Sequence, residues 1–290
     1  MQILSKAVIV AKMVSYKITG KIAKNKEDYD VVSSTYDSYF TKLMGSHTLK
    51  LLGKLEVKPG DGVLDLACGT GFGSSIIAEI LDGNGSLVMA DQSSGMLGVA
   101  RERLQKFPNL NHEIHQTDVM EFLEKLPSDS FNVVFCGWAI CYMDHPKFMT
   151  QINRVLKKGG KLGIIDTRKR TEMLLMDAYE RVILKNPSYV KKYLNITHLN
   201  DADHLKELFI KNNFAVVESY EGMEQIPSES LQDIVDWIEK SGISTDYVDV
   251  IDRNRYGEFR EKIIAELTKE FNSGNFELAR YYVAGVASKI

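Results

Sequence analysis

Cysteine is scarce in this sequence. Cys68, Cys136 and Cys141 are the three residues of that type among 290. They are too few and too scattered for a disulfide framework, and their spacing matches no zinc site. A reducing, cytoplasmic setting is the expectation. No stretch approaches the roughly 20 apolar residues that cross a bilayer as a helix. An excess of positive charge is also missing. The net charge is −3, so the chain carries no broad basic footprint for nucleic acid. There is no internal repeat, no low-complexity tract and no clear interdomain linker. Hydrophobic residues make up 44% and charged residues 26%, ordinary proportions for a globular protein with a sizeable core.

Against this bland background the first 26 residues stand out. They contain six Lys and no acid. Leu4, Val8, Ala11, Val14, Ile18 and Ile22 recur there at helical spacing. The uninterrupted apolar run and small-residue cleavage site of a secretory signal are not there. An amphipathic helix packed on the domain is the plain expectation. A helix lying on an anionic membrane surface is the sharper one.

The chain then alternates. A helical stretch over about Asp28–Leu55 precedes a turn at Pro59, Gly60 and Gly62. Gly62–Ala67 is an apolar run short enough for a strand buried on both faces. Strands over Ser86–Ala90, His112–Gln116, Phe131–Cys136 and Lys161–Asp166 alternate with helices over Ser94–Phe107, Val119–Lys125 and Pro146–Leu156. Gly159 and Gly160 read as a turn. This order predicts a parallel sheet with helices on both faces. Beyond Asp166, helices over Thr171–Leu184 and Asp201–Asn212, a strand over Phe214–Tyr220, two further helical patterns and a last strand over Ala279–Ser288 follow.

The chemistry concentrates in Val63-Leu64-Asp65-Leu66-Ala67-Cys68-Gly69-Thr70-Gly71-Phe72-Gly73. A buried strand runs into glycines that open a helix. Glycines there let backbone approach a ligand closely. Asp91 follows Gly71 by 20 residues, at the end of the next strand. An acid in that place hydrogen-bonds a ribose hydroxyl. The two features together predict a nucleoside cofactor. The dinucleotide pattern would put Gly where Ser74 stands, and a Walker loop would need Gly-Lys-Ser/Thr. Neither is found.

These residues resemble a known family. "VLDLACGTGFGSS" is similar to the first motif of class I S-adenosylmethionine-dependent methyltransferases. "VMADQSSGMLGVARERL" is similar to the next segment in the branch that includes ubiquinone/menaquinone methyltransferases. "DVMEFLEKLPSDSFNVVFCGWAI" and "INRVLKKGGKLGIID" resemble the later core motifs, and "YDVVSSTYDSYF" the helix before the core. The resemblance covers about Tyr29–Asp166. It implies an α/β fold with a Rossmann-like seven-stranded sheet, the last strand antiparallel, with N-terminal helices and helical lid insertions. The implied division is a helical cap over 1–58 and a core over 59–290, with insertions near 171–200 and 221–275.

The resemblance also implies roles. Gly69 and Gly71 would pass under the methionine and ribose, with Ala67 among the cofactor-binding residues and Asp65 attracting the methionine ammonium. Asp91 would accept the ribose hydroxyls, with Gln92 beside it. Met96 would pack on adenine, and Asp118 would accept from its amino group, near the Val119 N–H. Gly137 and Trp138 would border the transferable methyl, and Tyr36 would close over the carboxylate. No metal is implied. Singly, Met96 reads as helix core, Trp138 as packing and Asp118 as a helix N-cap.

Around the acceptor, Tyr142, Asp144 and His145 supply polar groups, and Asp166 ends the fifth strand. His145 could serve as a general base, or be an exposed residue before Pro146. Tyr142 and Asp166 are the other catalytic candidates; His47 and His198 rank below them. Gly137-Trp138-Ala139-Ile140 stands where amide and nucleobase amino methyltransferases carry Asn/Asp-Pro-Pro-aromatic, which disfavours those acceptors. Cys136 reads as inert core. Met173, Met176, Tyr179, Tyr189, Tyr193, Trp237, Ile238 and Tyr247 suit an apolar pocket or helix packing. The expected partner is a small molecule, not nucleic acid, with weak membrane-surface attachment through residues 1–26 as a further expectation. A catalytically inactive S-adenosylmethionine-binding scaffold and a nicotinamide oxidoreductase are the alternatives, the latter opposed by the glycine spacing.

Overall fold

The computed structural model describes residues 2–24, 26–227, 229–244, 248–272 and 278–290; the expectation for Tyr247 lies outside them. Seven strands form one sheet in the order β3-β2-β1-β4-β5-β7-β6. They are β1 (Gly62–Leu66), β2 (Ser86–Asp91), β3 (Asn111–Gln116), β4 (Phe131–Gly137), β5 (Leu156–Thr167), β6 (Phe214–Gln225) and β7 (Ala279–Lys289). Strands β1 to β5 pair in parallel, and β7 runs antiparallel to β5, Thr167 facing Tyr282 and Lys161 facing Ser288. The α/β Rossmann-like sheet with a reversed last strand is therefore as the sequence predicts.

Contacts group the chain into two units. One holds residues 41–169, 196–223 and 281–290, and the other 1–40, 170–195 and 224–280. The larger unit carries most of the sheet and α3 (Lys42–Lys54), α4 (Phe72–Leu81), α5 (Ser94–Leu104), α6 (Val119–Lys125), α7 (His145–Val155) and α9 (Ala202–Lys211). Side chains alternate across each strand. Leu64, Leu66, Val134, Cys136, Leu162, Ile164 and Val283 go to one face, where they join Phe148, Ile152 and Phe209 of α7 and α9 in a dry core. Val63, Asp65, Phe135, Gly163, Thr167 and Tyr282 take the other, where α3 and α4 lie.

Two expectations need correction here. The helix over Asp28–Leu55 is interrupted: α2 (Lys26–Tyr36) passes through a π turn, Asp37–Thr41, before α3. That wider turn accompanies the stacking of Tyr36 on Phe40, rings 4.9 Å apart. The Gly159-Gly160 turn sits inside β5, where five positions on β5 stand against two on β4 and Gly159 takes a φ of 75°. The ladder resumes at Lys161, so hydrogen bonding to β4 absorbs the turn as an irregularity.

The smaller unit comprises α1 (Gln2–Ile18), α2, α8 (Met173–Lys185), α10 (Leu231–Lys240) and α11 (Tyr256–Asn272). Tyr179, Tyr189, Trp237 and Ile238 are buried in it, while Met173 and Met176 are exposed. Tyr179 and Tyr189 lie against Phe259 at 5.5 and 5.3 Å between rings. The cavity that Tyr179, Phe259 and α10 leave is about 20 Å3, the size of a water site. These aromatic residues thus close a helical core. Arg280 and Glu172 form a buried ion pair at 2.8 Å. Helix α1 is inverted. Its polar edge faces α8, with Lys12 Nζ donating to the carbonyls of Pro187 and Val190 at 2.9 and 3.3 Å, Tyr16 donating to Val190, and Lys6 pairing with Glu180. Leu4, Val8, Val14 and Ile18 are left exposed, Leu4 by 71% and Ile18 by 79%. Among the described residues no helix is long and apolar enough to cross a membrane.

One test of the packing is Leu55, buried just past α3. It fills the space that a Cβ on Gly163 of β5 would enter, its Cδ1 lying 2.8 Å from that position. Leu55→Ala should cost about 2–5 kcal/mol by opening a cavity. Thermal unfolding should show a midpoint lowered by roughly 5–15 °C; an unchanged midpoint would mean that α3 does not anchor on β5 through this residue.

Candidate functional site

The carboxyl ends of β1, β2 and β4 lie side by side, where an open α/β sheet leaves a crevice for ligands. Backbone there is held in unusual conformations. Ala67, Gly69 and Gly71 all have positive φ, of 54°, 54° and 73°. Trp138, just past β4, has a φ of 61°. Two non-glycine residues in the left-handed region, at the ends of adjacent strands, cost about 1–3 kcal/mol each and persist only where surrounding structure imposes them. Gly71 has a second constraint. A Cβ there would lie 3.0 Å from the Cβ of Ala100 on α5. The turn is thus pressed onto the helix that follows β2, and α4 begins with Gly71 at its N-cap, a residue with no side chain to cap it.

Asp91 ends β2, and its carboxylate is oriented by backbone from both sides. The Gly69 N–H donates to Oδ2 at 2.9 Å and the Ser93 N–H donates to Oδ1 at 2.8 Å. The side chain is nearly buried. Ser93 in turn caps α5 by accepting from the Met96 N–H at 3.1 Å. Met96 is buried in the hydrophobic core, and Gln92 is exposed.

Asp65 is buried within β1, on the α4 face of the sheet. The Ser74 hydroxyl donates to its Oδ2 at 2.5 Å. Burial pushes the Asp65 carboxyl up from 3.8 to about 7; the Ser74 bond opposes this and the charge of Asp91 adds to it. An anion in this position is incompletely compensated, which suits a cationic ligand group. Ser74, noted in the sequence only as a missing third glycine, therefore carries a polar role. Its place at i+9 from Asp65 would signal that role once the strand–turn–helix is drawn.

Asp118 caps α6, its Oδ1 accepting from the N–H groups of Met120 and Glu121 at 2.8 and 3.1 Å, and Val119 is buried beside it. Past β4, the Trp138 indole N–H donates to the Thr48 hydroxyl of α3 at 2.9 Å, and its ring meets that of Tyr282 edge-on at 5.9 Å. Tyr282 lies within the last strand, and nothing in its local sequence pattern distinguishes it. Tyr36 belongs to the smaller unit, stacked on Phe40.

The acceptor-side groups named from the sequence gather on the opposite, α7 face. The Asp166 carboxylate accepts from the N–H groups of Cys141 and Thr167 at 2.7 and 2.6 Å. Burial raises its pKa, with His198 pulling the other way. His145 is buried, which corrects the idea of an exposed residue before Pro146: as the first residue of α7 it turns inward toward His204, rings 6.3 Å apart. Burial lowers its pKa, and the Asp166 charge opposes that. Tyr142 packs at the edge of the same core. Cys136 and Cys68 are buried, and burial pushes both thiols well up, the unreactive state.

Comparison with known proteins adds to this geometry. A family model described as "Methyltransferase domain" matches residues 57–242. A ubiquinone/menaquinone biosynthesis C-methyltransferase of Hydrogenovibrio crunogenus is 29% identical over 168 residues, which is 57% of this chain and 63% of that protein's length. A demethylmenaquinone methyltransferase of Lactobacillus johnsonii is 31% identical over 179 residues, 57% of this chain and 72% of that protein. This chain thus spans less than two thirds of the first of these relatives. In fold, a candidate methyltransferase from Bacillus halodurans superposes with a TM-score of 0.57 at 19% identity, covering 84% of this chain and 99% of that one.

The state of Asp65 makes a prediction. Its folded-state value is raised, so between about pH 4 and 7 the unfolded chain has already released a proton that the folded chain keeps, and rising pH across that window destabilises the fold. A cationic ligand group beside Asp65 favours the ionised form. Affinity for S-adenosylmethionine should therefore climb as pH rises through about 7, with a proton released on binding. Calorimetry in buffers of different ionisation enthalpy would read that proton, and Asp65→Asn should abolish both effects. An affinity independent of pH in the native protein would remove Asp65 from the ligand's neighbourhood.

Proposed function

The chain belongs to the methyltransferase domain family, among the class I S-adenosylmethionine-dependent methyltransferases, and from that premise we propose that it methylates a small, largely apolar or aromatic acceptor. The observation that carries this reading is the doubly anchored Asp91 beside the turn of left-handed residues at Ala67, Gly69 and Gly71. The cofactor's chemical groups fit these residues. Asp91 would accept its ribose hydroxyls, with Gln92 at the rim, and Asp65 would attract its ammonium. Met96 and Val119, both buried, would back the adenine, and the second oxygen of Asp118 would accept from the adenine amino group. The N–H groups at the start of α4 suit a carboxylate. For Tyr36 the proposed contact with that carboxylate rests on the resemblance alone. When bound, S-adenosylmethionine supplies an electrophilic methyl on a sulfonium. The residues then hold a nucleophile in line, exclude water and take up a proton where the acceptor carries one. Gly137 and Trp138 border that space. Asp166, through the Cys141 N–H, and His145 fix the loop 138–144, and Tyr142 closes its back.

An apolar acceptor is supported by Trp138, Tyr220 and Tyr282 at one edge of the sheet, and by relatives named for menaquinone and ubiquinone biosynthesis. Titration calorimetry should show S-adenosylmethionine and its demethylated product binding and NAD not binding. Asp91→Ala should weaken that binding by about 1.5–3 kcal/mol, because charge-assisted hydrogen bonds are lost. Label from the cofactor methyl should enter the lipid-soluble fraction of a cell extract. Binding without transfer to any fraction would favour the inactive scaffold instead.

Helix α1 supports a weak attachment to anionic membrane surfaces. Its apolar stripe faces away from its own unit, with Lys17, Lys21 and Lys24 exposed around its end. Each Lys near such a surface contributes about 1 kcal/mol at most, and salt screens it. The chain should co-sediment with vesicles containing anionic lipid at low salt. Val14→Asp with Ile18→Asp should release it. Equal sedimentation with neutral vesicles, or none with either, would rule the attachment out.

A further inference from the structure

Tyr282 and His47 form a polar pair whose hydroxyl and imidazole the proposed function does not use. The Tyr282 hydroxyl and His47 Nδ1 are 3.0 Å apart, and their rings are 4.5 Å apart. Tyr282 sits on β7 opposite Thr167. Alternation places it on the same face of the sheet as Asp65 and Phe135, displaced toward the carboxyl edge. His47 lies on α3 next to Thr48, the residue that anchors the Trp138 indole. The pair therefore flanks the loop that ends β4, on the side where Asp65 lies.

The seat of the phenol is specifically cleared. A Cβ on Gly222 of β6 would come within 2.3 Å of the Tyr282 hydroxyl oxygen and 2.4 Å of its Cζ. Only a residue without a side chain leaves that space. Tyr282 is buried, while His47 is partly open to solvent. Among the described residues, the titratable groups near the pair include Tyr220 on β6, with Glu218 of β6 and Lys50 and Lys54 of α3 around Tyr220. Tyr220 meets Tyr282 edge-on at 6.5 Å between rings. The ammonium groups of Lys50 and Lys54 lie over the Tyr220 ring, and Lys54 pairs with Glu218. Burial, with Tyr282 and Glu218 adding to it, pushes Tyr220 up to about 12, so it stays a neutral phenol. Across the sheet, Asp166 points the other way, its carboxylate taken up by backbone N–H groups.

We propose that Tyr282 receives the proton of the methyl acceptor and hands its own to His47, which makes Tyr282 a catalytic residue and His47 a positioning and relay residue. The inference rests on the reading of this chain as a methyltransferase. A hydroxyl or amine of the acceptor attacks the methyl carbon. A bond forms between acceptor and carbon, and the carbon–sulfur bond breaks with its electron pair left on sulfur. The acceptor's proton passes to the Tyr282 oxygen as the Tyr282 proton moves to His47 Nδ1. The imidazolium then loses a proton to water from its open side. Tyr282 is buried and His47 partly open to solvent, so the proton would travel outward along the pair.

The test uses the full chain, labelled S-adenosylmethionine and the lipid-soluble cell extract as acceptor mixture. Tyr282→Phe keeps the ring, and so the packing against Trp138 and Gly222, but removes the hydroxyl. It should lower kcat on the order of 10²-fold, the low end of what a positioned proton acceptor supplies. His47→Gln should flatten the acidic limb of the kcat–pH profile. Calorimetric affinity for S-adenosylmethionine should be unchanged in both, and His112→Gln on β3 should behave as wild type. If Tyr282→Phe unfolds, the pH profile of His47→Gln decides alone. Native rates and an unaltered pH profile in His47→Gln would overturn the relay. A native chain that binds S-adenosylmethionine yet transfers no methyl would instead overturn the proposed function, and the pair with it.

Discussion

The fixed orientation of the Asp91 carboxylate is the constraint on which the site depends. Its two oxygens accept from backbone on two different segments, Gly69 in the turn after β1 and Ser93 at the start of α5. A side chain shared in this way ties neighbouring strand ends to one position. The turn can then hold its left-handed residues, whose strain is sustained by the parallel ladder between β1 and β2. Asp65 depends on the same arrangement. It is buried under that turn, and the nearness of Asp91 is one reason its proton is held so firmly. Burial of the Asp65 carboxylate beside that of Asp91 therefore disfavours its ionised form in the unliganded fold.

The strand–turn–helix segment was legible in the sequence because its signals are local. A short apolar run, glycines at fixed offsets and an acid at the next strand end are each set by backbone geometry within some thirty residues. Asp91 and the glycines could be named before any coordinates were known. Asp118 could be read as a cap, and it is one. His145 is the instructive contrast. Ahead of a proline, with no apolar neighbour pattern, it reads as exposed. It is buried because helix α9, more than fifty residues later, covers it. The importance of Tyr282 was likewise invisible. Its surroundings come from α3, β4 and β6, and no periodicity within β7 reports them.

The segments rich in methionine and aromatic side chains show how composition underdetermines structure. Met and Tyr suit either a pocket or a helix interface. In the smaller unit Tyr179, Tyr189 and Trp237 pack a helical core, and the methionines of α8 remain at the surface. Helix α1 shows the same ambiguity in reverse. Its apolar spacing was correctly read as helical, but spacing alone does not say which face is covered. There the hydrogen bonds of Lys12 and Tyr16 to carbonyls of residues 187 and 190 decide it.

The position of β7 has a consequence for how the chain reaches this state. β5 and β7 are neighbours in the sheet, yet α8, α9, β6, α10 and α11 separate them in sequence. Until β7 arrives, β5 presents an unpaired edge that includes Ile164 and Ile165, both fully buried in the finished protein. Contacts of such high sequence separation form slowly, because loop closure must be met before they stabilise anything. During that interval the open edge is a template for pairing with another chain. Folding yield at high concentration should thus be set by how fast the seventh strand slots into place, and a growing chain would be served by a chaperone that shields β5 until it does.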